Sequence, residues 1–171
     1  MTTNIVGLSV VHPVVIVEDG GQKFRALLDS GASHSYVSST LIELTHARAV
    51  KSGTRRVAKL LGVTTTKLME YDLRFQSVKR HFELNVHVTQ INRRELLFLD
   101  NSRYADRIEG HSHLHGVQLD DQSAEEHLPV LIILGANEYA QIPTRTPLRV
   151  GRREAGSRAH SFWMVGYGSW G

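Results

Sequence analysis

The chain has 171 residues, no cysteine and a formal net charge of only +3. This length suits one domain with a core of its own, so a single domain over residues 1–171 is expected. The absence of Cys excludes a disulfide framework and a thiolate metal site, and it fits an intracellular, cytoplasmic protein. The small charge and the scattered arginine pairs at 55–56, 93–94 and 152–153 favour solvated surfaces over nucleic-acid binding.

Nothing in the sequence indicates a membrane partner. No apolar run approaches the ~18 residues that a transmembrane helix needs. The first residues also lack the basic start of a secretory signal.

The first part of the chain alternates between apolar β-branched runs and turns. Residues 5–11 and 14–17 are predicted strands, and residues 18–21 have the composition of a turn. Residues 23–28 are therefore expected to return as a third strand. This predicted hairpin ends directly at Asp29.

Residues 26–32 have the sequence Ala-Leu-Leu-Asp-Ser-Gly-Ala, an apolar strand that runs into an acidic turn. Ser30 and Gly31 allow a sharp bend, because Gly tolerates backbone conformations that other residues resist. A carboxylate at the end of a buried strand, beside a hydroxyl and a glycine, is a candidate catalytic group. By residue types alone, the commoner explanation is a turn in which Asp29 or Ser30 caps the next helix.

The middle of the chain predicts a short helix followed by hairpins. The helix is expected over residues 40–47, capped by a Ser and with Glu43 in its first turn. Residues 57–69 predict a hairpin with Gly62 near its tip. Residues 71–75 and 82–88 alternate apolar and polar side chains, which is typical of strands with one buried face.

Residues 93–127 mix an apolar patch with charges and a histidine group. His111, His113 and His115 alternate, and imidazoles at this spacing can bind zinc. The neighbouring glycines and the lack of a fixed acidic partner favour a solvated loop instead. We therefore expect no metal site.

The last third contains the most apolar run of the chain, residues 129–137, which predicts a strand buried on both faces. Residues 138–142 are expected to form a turn or two of helix, ended by Pro143, and residues 161–167 a final strand. Short strands separated by turn signals predict a mainly β fold, either a closed barrel or a sandwich.

Two of these stretches resemble the signatures of one family. Residues 27–32 resemble the Asp-Thr/Ser-Gly-Ala active-site motif of the retropepsin-like aspartic proteases. Residues 131–136 resemble the second signature of that family, an apolar strand that ends in Gly and is followed by a short helix. The long spacing between the two motifs and the aromatic tail with Trp163 and Gly166 are most similar to the BEL/Pao class of retrotransposon proteases. Asn137 departs from the Asp of many relatives.

The resemblance implies a closed β-barrel of the acid protease type with one or two short helices, and no cofactor. It implies that the second-signature strand passes beneath the active-site loop and packs against it. It also implies roles for particular residues: Asp29 as the catalytic group; Ser30, Gly31 and Ala32 as the active-site loop; Leu61, Gly62, Val63 and Thr64 as the flap; and Ile133, Leu134, Gly135 and Ala136 as the second signature.

Aspartic protease chemistry needs two carboxylates that share a proton, and this chain has one such motif. The resemblance therefore implies a homodimer that joins two Asp29 side chains and cleaves a polypeptide, here a retroelement polyprotein. One alternative is an inactive or domesticated domain that serves as a dimerisation or peptide-binding module. Another is a cellular retropepsin-like protease related to the DNA-damage-inducible proteins, against which the 93–127 insert argues.

Overall fold

The computed structural model describes residues 12–59, 62–79, 82–101, 121 and 123–142. Over these residues the chain is mainly β, and the elements follow in the order β1 (Val14–Asp19), β2 (Gln22–Leu28), β3 (Ser35–Ser38), α1 (Ser39–Thr45), β4 (Lys51–Lys59), β5 (Gly62–Ser77), β6 (Glu83–Ile91), β7 (Leu97–Asp100), β8 (His127–Val130), β9 (Ile132–Leu134) and α2 (Ala136–Gln141). The predicted strands at 5–11 and 161–167, the three alternating histidines and Leu61 lie outside the described residues.

Six of these strands form a closed barrel in the order β1-β2-β9-β3-β6-β5. The barrel closes because β5 also pairs with β1, with Val17 opposite Ser77. Strand β4 extends the sheet beyond the barrel by pairing with the first half of β5. The prediction of a mainly β, closed barrel with one or two short helices is confirmed for the described part of the chain.

The β1–β2 hairpin has the turn that its sequence predicts. Asp19 pairs with Gln22, which leaves Gly20 and Gly21 as the two central residues. Their φ angles are 58° and 82°. A two-residue hairpin turn with positive φ at both central residues has a twist that matches that of the flanking strands. Glycine adopts positive φ without steric cost. This tight turn sets the register in which β2 delivers Asp29.

The barrel core comes from the alternating strands β5 and β6. Their inward side chains are buried, namely Tyr71, Leu73 and Phe75 on β5 and Leu84, Val86 and Val88 on β6. Asp72 and Arg74 on the opposite face are exposed. The predicted period of two is therefore confirmed on both strands.

Helix α1 begins at Ser39, one residue earlier than predicted. Ser38 is its N-cap and accepts a hydrogen bond from the Leu41 N–H at 3.2 Å. Because of this earlier start, Glu43 lies beyond the first turn, and the prediction that it sits there is wrong.

The apolar run at 129–137 is not one strand. It forms β8 and β9, which belong to different sheets, and its last residues start α2. Leu131 lies between the two strands. Its N–H donates to the Arg25 carbonyl, and its carbonyl accepts from the Ser38 N–H. Ile132 and Leu134 are buried in the main core, while Ile133 packs against a second cluster around Val130. Both faces are thus covered, as the sequence predicts.

An ion pair fastens the end of the long insert to the barrel. Arg25 Nε lies 2.6 Å from Asp121 Oδ2 and Arg25 Nη2 lies 2.9 Å from Asp121 Oδ1. The third donor, Nη1, reaches the Pro129 carbonyl at 3.0 Å. The two side chains are only 11% and 23% exposed. This paired geometry fixes the position at which the chain returns from the insert to β8.

A group of charged and titratable side chains lies where β4 joins the barrel. His87 Nδ1 lies 2.7 Å from Asp72 Oδ1, and His87 Nε2 lies 3.4 Å from Glu70 Oε2. Lys51 Nζ lies 3.5 Å from the same Glu70 oxygen. The hydrogen bond to Asp72 raises the pKa of His87; burial opposes this in part, and Glu70 adds to the rise. Burial alone would raise the pKa of Glu70, but Lys51 and His87 together lower it.

His87→Gln is expected to remove a pH-dependent part of the stability. Because the folded pKa of His87 is raised above its unfolded value of about 6.5, the contribution is fully present below that pH. It is lost as the pH rises through the folded pKa. The side chain is 55% exposed, so solvent screening keeps the contribution below about 1 kcal/mol. Urea unfolding of both proteins from acidic to alkaline pH measures it, and a stability difference independent of pH would contradict it.

Candidate active site

The Asp29 turn is held at its backbone and at its side chain. The Asp29 N–H donates to the Leu134 carbonyl at 2.9 Å, and the Asp29 carbonyl accepts from the Ala32 N–H at 3.1 Å. Oδ1 of Asp29 accepts from the Gly31 N–H at 2.9 Å. Asp29 is half-buried, whereas Ser30 and Gly31 are exposed. The turn therefore holds one carboxylate oxygen and leaves the Asp29 residue partly open to solvent.

The alternative role of Asp29 or Ser30 as a helix cap is wrong. The chain leaves Ala32 into strand β3, and the next helix, α1, is capped by Ser38. Neither side chain caps a helix in the described part of the chain. The turn instead joins β2 to β3.

Strand β9 lies between the two strands that enter and leave the turn. It pairs parallel with β2, with Leu28 opposite Leu134, and antiparallel with β3, with Tyr36 opposite Ile133. Residues 133–136 are therefore packed against the Asp29 turn. The contact joins residues that are far apart in the chain and makes the turn part of the barrel wall.

Gly135 occupies a place where a side chain does not fit. A Cβ atom there would lie 2.9 Å from both the Ala32 and the His34 carbonyl oxygens. The next residue, Ala136, donates its N–H to the Ala32 carbonyl at 2.9 Å. Glycine is needed at this position because two backbone segments approach closely.

Two polar residues behind the turn were not predicted as part of the site. Ser35, only 2% exposed, accepts a hydrogen bond from the Gly135 N–H at 2.9 Å. Its hydroxyl donates to Glu138 Oε2 at 2.7 Å. The only signals in the sequence are a serine shortly after the Asp motif and an acid shortly after Gly135, and neither indicates its partner.

The residues predicted as a flap lie in the β4–β5 hairpin. Gly62, Val63 and Thr64 begin β5, and their strand partners are Lys59, Ala58 and Val57. The predicted hairpin with Gly62 near its tip is confirmed. These partners belong to β4 and not to the Asp29 turn, so the pairing does not bring the predicted flap to the carboxylate.

Two comparisons with known proteins assign no family to the chain. No protein-family model matches the chain, and no curated protein is significantly similar to it.

Among the described residues, no helix has the length and apolar character to cross a membrane. Within that same part of the chain, no three His, Asp or Glu side chains are grouped as metal ligands.

Proposed function

We propose that the chain is an aspartic endopeptidase of the retropepsin-like type that works as a homodimer. The observation that carries this proposal is the Asp29 turn, fixed by β9 and partly open to solvent. A closed β-barrel in which one strand separates the two strands of the turn supports it further. A carboxylate held in this way is preorganised for proton transfer with water or substrate.

In the proposed reaction, two Asp29 carboxylates from two protomers meet and share one proton, since two like charges at close range do not both ionise. The ionised carboxylate takes a proton from a water molecule. The protonated one gives its proton to the carbonyl oxygen of the scissile peptide bond. The water oxygen attacks the carbonyl carbon. The C–N bond then breaks as the carboxyl that took the water proton passes it to the leaving nitrogen, and the other carboxylate takes back the proton from the former carbonyl oxygen.

The neighbours of Asp29 suit this role. Gly31 lies so close to the carboxylate that an added Cβ would be 3.2 Å from Asp29 Oδ1. The exposed Ser30 hydroxyl is available to hydrogen-bond across the two-fold axis of the proposed dimer. In this proposal the β4–β5 hairpin is the flap that closes over the substrate. The substrate is a polypeptide with an apolar scissile pair, from a retroelement polyprotein of the BEL/Pao class, processed in the cytoplasm.

The purified chain is expected to sediment as a dimer, at twice its mass of 19.2 kDa, and to cleave peptides with an apolar scissile pair. The reason is that one chain supplies only one motif carboxylate. Analytical ultracentrifugation over a dilution series, with peptide cleavage measured on the same samples, tests both parts. Specific activity should fall as the dimer dissociates. A monomer that retains full proteolytic activity would overturn the proposed mechanism.

A further inference from the structure

Two hydrogen bonds meet at the Ser35 hydroxyl behind the Asp29 turn. A backbone N–H is a donor, so Ser35 Oγ is the acceptor for Gly135. An ionised carboxylate only accepts, so the hydroxyl proton of Ser35 is donated to Glu138 Oε2, 2.7 Å away. Glu138 thus fixes the orientation of the hydroxyl, and the hydroxyl fixes the Gly135 amide.

Gly135 lies between the two residues that hold the turn. Leu134 accepts the Asp29 N–H, and Ala136 donates to the Ala32 carbonyl, each at 2.9 Å. These two contacts hold the first and last residues of the turn. The segment 134–136 is a short backbone bridge, and Ser35 is the side chain that holds its middle residue.

We propose that Ser35 and Glu138 are positioning residues for the Asp29 carboxylate. Glu138 orients the Ser35 hydroxyl, Ser35 holds the Gly135 amide, and the bridge at 134–136 thereby keeps the turn in place. The inference rests on the proposed protease function where it concerns catalysis. The fixation of the turn is a property that is measured without any substrate.

The test compares Glu138→Ala with Glu138→Gln, whose amide oxygen still accepts the Ser35 hydroxyl. Because a small misplacement of a catalytic group slows the chemistry, Glu138→Ala should lower kcat by up to about 100-fold with little change in KM. Glu138→Gln should restore most of the loss. Gln141→Ala on the same helix, at an exposed position, is the control and should keep wild-type kinetics. Ser35→Ala should behave like Glu138→Ala if it folds.

Amide hydrogen exchange, monitored by NMR, tests the proposal without any measurement of peptide cleavage. The Asp29 and Ala136 amides should exchange faster in Glu138→Ala than in wild type, and should be unaffected in Gln141→Ala. Unchanged exchange at both amides would overturn the proposal, as would unchanged kcat in an active Glu138→Ala protein. If the wild-type protein cleaves no peptide, the protease function fails, and the exchange rates alone still decide whether Ser35 and Glu138 hold the turn.

Discussion

Asp29→Asn is expected to abolish peptide cleavage while the fold and the dimer persist. Asn is nearly isosteric with Asp, and its amide oxygen can still accept the Gly31 N–H that Oδ1 accepts at 2.9 Å. The turn is therefore retained, but the amide cannot pass a proton between water and substrate. A loss of at least about 1,000-fold in kcat is expected. Circular dichroism and sedimentation should remain those of the wild type.

Asp100→Asn is the matched control, because this aspartate is 96% exposed and lies on β7, outside the turn. It should keep full activity. If Asp29→Asn also kept full activity, Asp29 would be only a turn residue, and the proposed protease function would be wrong.

Mixing wild-type and Asp29→Asn chains tests whether one site needs two chains. At equal amounts and after free exchange, about a quarter of the dimers are fully wild type, by the statistics of a two-fold assembly. Activity per total dimer should fall to about that fraction. A fall to only one half would mean that each chain carries a complete site of its own.

Much of the barrel is predictable because its signals are local. The paired glycines at 20 and 21 predict the first hairpin, and the alternation along β5 and β6 predicts their buried faces. The position of Asp29 directly after β2 follows from the same kind of pattern, since the apolar Leu27 and Leu28 predict a strand there. Each of these features depends on neighbours in the chain.

The rest depends on contacts between distant residues, which a pattern along the chain does not contain. Ser35 and Glu138 are 103 positions apart, and Arg25 and Asp121 are 96 apart. Nothing near Leu131 indicates that the chain changes sheets there, because that depends on which strands flank it. Gly135 itself is visible in the sequence, but the two carbonyl groups that require it are not.

Gly135→Ala is expected to destabilise the protein and displace the Asp29 turn. The backbone at Gly135 has φ of −77° and ψ of −175°, which alanine adopts readily, so the effect is steric. The added Cβ would meet the Ala32 and His34 carbonyl oxygens at 2.9 Å. Both are backbone atoms, so no flexible side chain can move aside. We expect a loss of roughly 2–3 kcal/mol in the free energy of unfolding and a large loss of cleavage.

Gly53→Ala on β4 is the matched control, because nothing lies within 4 Å of its added Cβ. A glycine within a strand is intrinsically unfavourable, so this change should leave stability unaltered or raise it by up to about 1 kcal/mol. Urea unfolding of the two variants measures the difference directly, and peptide cleavage shows whether the turn has moved. Equal stability of the two variants would mean that the bridge at 134–136 does not press against the turn. A stability loss confined to Gly135→Ala would instead locate the steric constraint on the Asp29 turn at this close backbone contact.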